Sequence, residues 1–93
     1  ALRALADYMA QNPDQTISIV GHTDSSGGLD GNIAISKRRA AAVIERLVAD
    51  YGAPRARLTP AGMGYLAPIA SNLTPEGREA NRRVEAVVTG PID

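Results

Sequence analysis

Apolar positions along this chain keep changing their period, and each change marks the boundary of an element. Leu2, Leu5, Ala6 and Met9 follow the i, i+3, i+4, i+7 spacing of an amphipathic helix, which Asn12-Pro13-Asp14 ends. Thr16 to Val20 is short and β-branched and predicts a strand feeding a Gly21–Asp24 turn. Ser25 to Gly31 is glycine-rich and predicts a flexible loop. A long helix is expected from about Asn32 to Tyr51, with Ala40, Val43, Ile44, Leu47, Val48 and Tyr51 on its buried stripe. Gly52 then supplies the C-terminal cap, with Pro54 just beyond. Arg57 to Ala61 predicts a strand, and Met63 and Tyr65 after it read as core residues. Thr74-Pro75-Glu76 combines an N-cap, a proline at the first helical position and an acid in the first turn. That short helix ends near Asn81, and Arg83 to Val88 is the last strand, with Val84, Ala86 and Val88 on one face. Alternating helices and strands predict an α/β sandwich with helices packed on one sheet.

Composition narrows the function classes. Ninety-three residues suit a single domain spanning 1–93 with one modest core. The net charge is zero, so nothing global draws the chain to nucleic acid or to an anionic membrane. There is no cysteine, which excludes disulfides and thiolate metal sites. No run approaches the roughly 20 apolar residues of a helical membrane span, and the opening residues do not read as a signal peptide. A chain that opens on Ala1 without Met reads as an excised piece of a longer protein. Its basic residues are nine Arg and a single Lys. Arg suits two-point recognition of carboxylates, although a GC-rich genome gives the same bias.

Polar residues near predicted element ends are the candidate chemistry. Asp24 follows the first strand, either as a turn-capping carboxylate or as a fixed anion for a cationic ligand. At about 100° per residue, Arg39 falls at the rim of the long helix's buried face, together with Asn32 and Ser36. Arg38 falls nearly opposite the buried face and Glu45 shares that exposed back. Arg39 is then either a rim arginine covering apolar surface with its stem or a ligand contact. Asn32 lies at the predicted helix start, where unpaired N–H groups attract anions. Asn81 and Arg82 sit at the last helix-to-strand corner. Arg82 and Arg83 either pair with Glu85 or Glu76 or, in the case of Arg82, face a ligand. Gly77 reads as a close-packing scaffold position, beside Glu76 and Arg78. His22 is the only histidine, too few ligands for a stable zinc site, and reads as packed or hydrogen-bonded.

Taken in order, Gly21-His22-Thr23-Asp24, Asn32 to Ala40, Gly62-Met63-Gly64, Asn72 to Arg78 and Asn81-Arg82-Arg83-Val84-Glu85 resemble the OmpA-like peptidoglycan-binding domain. That pattern reads GHTD, N-x-x-L-S-x-x-R-A, G-x-G, N-x-T-x-E-G-R and N-R-R-V-E. The resemblance covers about Ile17 to Val88, and within the motifs only Ile35 departs, standing where Leu is usual. It implies a two-layer sandwich on a mixed sheet, whose usual first strand, of the F-x-x-x-S type, is missing ahead of the first helix. Missing that strand leaves an unpaired edge, an invitation to association such as a homodimer.

The resemblance also implies a function: non-covalent binding of peptidoglycan through the meso-diaminopimelate of its stem peptide. The Asp of GHTD, here Asp24, contacts the amino end, and the Arg of the second motif, here Arg39, clamps the carboxylate. Thr23, Asn32 and Arg82 complete the expected ligand-binding set. No cofactor or metal is implied. The expected location is the periplasm of a Gram-negative bacterium, with any membrane contact made through an anchor in the parent porin, lipoprotein or motor stator. Two other readings stand beside it. One is a cell-wall peptide hydrolase using Ser25 or Ser26 near His22, which needs a nucleophile placed beside a base. The other is a wall-independent assembly module that pairs through its sheet.

Overall fold

In the first strand Ile17, Ile19 and Gly21 are buried while Thr16, Ser18 and Val20 are less covered, the alternation of a sheet with one face on the core. The computed structural model describes residues 2–91. Its elements run α1 (Leu2–Gln11), β1 (Thr16–Gly21), α2 (Leu29–Tyr51), a 3₁₀ turn at Arg55–Arg57, β2 (Leu58–Gly62), α3 (Pro75–Asn81) and β3 (Val84–Gly90). The strands order β2-β1-β3, with β1 parallel to β2 and antiparallel to β3. Register places Val84, Ala86 and Val88 opposite Gly21, Ile19 and Ile17, so all six share the face toward the helices. Met9 of α1, Ile17 and Ile19 of β1, Ala40, Ile44 and Leu47 of α2, Ala53 and Leu58 form the core. This is the expected α/β sandwich: helices on a mixed three-stranded sheet. Among the described residues, the outer edge of β3 carries no partner strand.

Local signals act as anticipated at several element ends. Gly52 adopts the left-handed conformation at φ +68 and its N–H returns to the Val48 carbonyl. Thr74 caps α3, its Oγ1 accepting from the Gly77 N–H at 3.0 Å, with Pro75 in the first turn. A Cβ at Gly77 would lie 1.8 Å from the Ser71 carbonyl oxygen, so that position is a close-packing one.

Three expectations are corrected. Helix α2 begins at Leu29, before Asn32, because the Asn32 side-chain amide donates to the Ser26 and Gly28 carbonyls and winds the glycine-rich stretch into a first turn. Asn32 and Ser36 are buried on the same stripe as Ala40, Ile44 and Leu47 rather than on a polar edge with Arg39. The strand glycines explain this. A Cβ at Gly21 would stand 2.0 Å from the Ser36 carbonyl oxygen, and one at Gly62 2.5 Å from that of Ile33. The helix therefore rests directly on strand backbone, and the small Ser36 fits where a larger side chain would not. Finally, Met63 and Tyr51 are exposed and Tyr65 is half-buried. The Arg3 guanidinium lies 5.6 Å from the Tyr51 ring centroid, a contact at the surface.

Arg57 has a role that periodicity does not reveal. Its guanidinium donates to the carbonyls of Gln15 at 2.7 Å, Met9 at 3.1 Å and Asn12 at 2.6 Å, gathering the end of α1 and the turn into β1. Carbonyls at a helix C-terminus lack intrahelical partners, and a cation there also complements the dipole. Arg57→Ala is expected to cost about 2 kcal/mol, the range of a charge-assisted hydrogen bond. For a domain of this size that is a fall of about 8–16 °C in Tm. Arg57→Lys should recover only part of it, since an ammonium cannot span three divergent carbonyls. Thermal melts followed by circular dichroism check both.

Candidate functional site

The segment after β1 is held from both sides by main-chain bonds. His22 N–H donates to the Arg83 carbonyl at 2.8 Å, Thr23 N–H to the Gly64 carbonyl at 2.8 Å, and Met63 N–H to the Gly21 carbonyl at 3.0 Å. Gly64 is fixed in turn by α2: its N–H donates to Ser36 Oγ at 3.0 Å, and that hydroxyl donates to the Ile33 carbonyl at 2.9 Å. Gly64 sits at φ +57 against Ile33, a conformation and a spacing that favour glycine. Helix and strands thus deliver Thr23 and Asp24 to the end of the sheet, as the sequence predicts for Asp24.

Asp24 is buried, with both carboxylate oxygens engaged. Oδ1 accepts the Ser26 N–H at 2.9 Å and Oδ2 accepts from Arg82 at 2.5 Å. The Asp24 side chain is 11% exposed and that of Arg82 43%, so the pair sits at a mouth with the arginine outermost. Asp24 therefore caps its turn, the first of the two alternatives that its sequence position offers, and holds Arg82 beside it. Thr23 is buried and donates its hydroxyl to the Asp24 carbonyl at 2.9 Å. The Asn32 amide bonds to Ser26 and Gly28 close the loop from behind. Thr23, Asp24, Asn32 and Arg82 are thus brought together in one cluster. Arg39 is exposed on α2, as is Arg38, and forms no ion pair among the described residues.

At the last corner, the two adjacent arginines take different partners. Arg82 pairs with Asp24 rather than with Glu85 or Glu76. Arg83 pairs with Glu85 at 2.5 Å and donates to the Ala67 and Asn81 carbonyls. Asn81 is fully buried and spends its amide on the neighbouring loop: Oδ1 accepts from the Ile69 and Ala70 N–H groups, and Nδ2 donates to Ala70 and Asn72. It is the corner-holding residue that the sequence offers. His22 is packed, with its ring buried and without a hydrogen-bond partner among the described residues. Neither Ser25 nor Ser26 pairs with it, so the nucleophile–base geometry of a hydrolase is not formed there.

Electrostatics follow from these contacts. The Ser26 N–H, and after it the Arg82 guanidinium, hold the Asp24 carboxyl below its ordinary 3.8. Such a group stabilises the fold above its unfolded pKa, and that contribution is lost as pH falls through the lower folded value. A carboxyl-carbon NMR titration should give Asp24 a midpoint below 3.8. In Arg82→Ala the midpoint should rise yet stay below that value, because the Ser26 N–H is the larger cause. An unmoved midpoint would show that Arg82 does not act on Asp24.

Comparison with known proteins agrees with this geometry. The model of the OmpA family matches residues 1–82. The chain is 46% identical over 87 residues to outer membrane porin F of Pseudomonas aeruginosa, covering 94% of this chain and 25% of that protein. It is 45% identical over 87 residues to the peptidoglycan-binding protein ArfA of Mycobacterium bovis, covering 94% of this chain and 26% of that one. The chain thus spans about a quarter of the length of these relatives. Its fold superposes on the peptidoglycan-associated lipoprotein of Burkholderia pseudomallei with a TM-score of 0.85, at 30% identity, covering 95% of this chain and 74% of that one. With the motif residues Gly21–Asp24, Asn32, Gly64 and Asn81–Glu85 meeting at one end of the sheet, the chain belongs to the OmpA family.

Proposed function

We propose that this domain binds peptidoglycan non-covalently, by the meso-diaminopimelate of the stem peptide, and anchors its parent protein to the cell wall. The observation that carries the reading is the Asp24–Arg82 pair at the mouth of the sheet. A carboxylate beside a guanidinium presents both signs at once and suits a zwitterionic end group, an ammonium and a carboxylate on one carbon. Asp24 takes the ammonium through a charge-assisted bond, and Arg82, the more exposed partner, turns toward the carboxylate. Thr23 and Asn32 act by fixing the Asp24 turn. Arg39 lies seven residues beyond Asn32, roughly 10 Å along the helix axis, and its long side chain reaches back as the clamp. Membership in a family with a relative named peptidoglycan-binding supports the same reading. So does the likeness to a peptidoglycan-associated lipoprotein. The domain then works in the cell envelope, on the periplasmic side of an outer-membrane or envelope protein.

The open edge of β3, with Val84 and Val87 exposed beside it, favours a second reading: an assembly or homodimerisation module that pairs through its sheet. Loss of sacculus binding in Asp24→Ala supports the wall reading, and unchanged binding moves the assignment to assembly.

Two outcomes test the ligand chemistry. Retention on diaminopimelate-type walls should exceed that on lysine-type walls by about tenfold or more, since lysine lacks the second carboxylate and leaves a charged partner unpaired. Equal retention rejects the pocket. Arg38 and Arg39 are both exposed, so only their direction around α2 separates them. Arg39→Ala should lose binding by about tenfold or more, Arg38→Ala should stay near wild type, and Arg39→Lys should fail substantially. Pull-downs on purified sacculi, with folding checked by circular dichroism, decide it.

A further inference from the structure

The chain's only histidine sits one residue from Thr23 and two from Asp24, yet the ligand site does not use it. Its side chain is 5% exposed, and neither ring nitrogen meets a hydrogen-bond partner among the described residues. Buried polar atoms are nearly always paired, so this ring is placed at a cost. Glu85 Oε2 lies 3.7 Å from Nε2, beyond hydrogen-bond distance. Glu85 is meanwhile held by Arg83 through its other oxygen. The charged groups about the ring are Arg83 and Glu85, both at the corner before and within β3. Strand alternation puts His22 on the face of the sheet away from α2, the face that Glu85 of β3 shares.

We propose that His22 is an acid-operated release for the ligand site, a positioning residue whose protonation loosens the corner that seats Arg82 on Asp24. A proton on the ring turns both nitrogens into donors. The charged ring must either draw Glu85 from Arg83 or leave its buried seat. Either route disturbs Arg83, whose carbonyl accepts the His22 N–H at 2.8 Å and whose chain neighbour is Arg82. The inference rests on the Asp24–Arg82 cluster being the wall site.

The direction of the effect follows from linkage. Burial, and then the Arg83 charge, hold the His22 pKa below its ordinary 6.5, with Glu85 opposing them. An opened state takes up its proton first, so the closed arrangement loses stability as pH falls below 6.5. Asp24 does not titrate in that range, because its pKa is held below 3.8. The ammonium and carboxylate groups of an amino-acid ligand keep their charges there too. A binding change between pH 7 and 5 therefore belongs to His22.

The test measures binding to purified diaminopimelate-type sacculi from pH 7.5 to 4.5 for the wild-type domain, His22→Gln and Glu85→Gln. NMR of the free domain follows the His22 ring and the Arg82 Nε–H in parallel. Wild-type affinity is expected to fall about fivefold or more, with the midpoint of the His22 titration. His22→Gln should bind with a flat profile. Glu85→Gln should move the midpoint to lower pH, because the carboxylate that favours the charged ring is gone. A flat wild-type profile, a persistent fall in His22→Gln, or an Arg82 signal that stays still while the ring titrates overturns the proposal. If His22→Gln does not fold, an unshifted midpoint in Glu85→Gln overturns it alone. Absence of wild-type binding at pH 7.5 is instead a failure of the wall-site reading. In that case co-titration of His22 and Arg82 in the free domain still decides whether the coupling exists.

Discussion

Helix α2 lies so close to the ends of β1 and β2 that only hydrogen fits between them at Gly21 and Gly62. Everything at the polar end of the molecule is referenced to that contact. Ser36, seated between the glycines, passes the helix position to Gly64 through its hydroxyl, and Gly64 passes it to Thr23 through a main-chain bond. Asp24 follows in the next peptide. Backbone against backbone is a stiff joint, since neither side has rotamers to yield and interiors are close-packed. The carboxylate is therefore positioned by the core of the fold, although it stands at the start of a glycine-rich loop.

The elements were legible because their signals are local. Gly52 and Thr74 end and begin helices through bonds within a few residues, and the apolar periods of α1, β1 and α2 need no knowledge of the rest. The start of α2 is hidden in the sequence because Gly27, Gly28 and Gly31 argue for a loop, while the Asn32 side chain supplies the bonds that wind it. The burial of Ser36 is hidden for a related reason. A wheel ranks residues by hydropathy and cannot know that facing glycines make room for a hydroxyl. Met63 and Tyr51 erred in the opposite sense: an apolar side chain carries no mark of whether anything covers it.

The candidate site shows the same division. Asp24, Thr23, Asn32 and Arg82 were all named from motifs, and the structure gathers them. Sequence did not assign Arg82 to Asp24, because Glu85 and Glu76 stood nearer along the chain and separation in sequence says little about distance at a sheet end. The three-carbonyl role of Arg57 was beyond reach for a similar reason, since carbonyls are common to every residue and leave no trace in the sequence. Arg39 remains the residue whose role rests on resemblance rather than on a contact.

The buried apolar core draws every member from between Met9 and Leu58. The Asp24–Arg82 pair closes across 58 positions, and β3 lies beyond it. Long-range closures form late, after local contacts have shortened the effective loop. During vectorial synthesis, then, α1, β1, α2 and β2 can condense on their own hydrophobic surface while the polar end is still without its guanidinium. The apolar core and the ionic pair thus draw on different stretches of the chain, the core on its first two thirds and the pair on residues 58 positions apart.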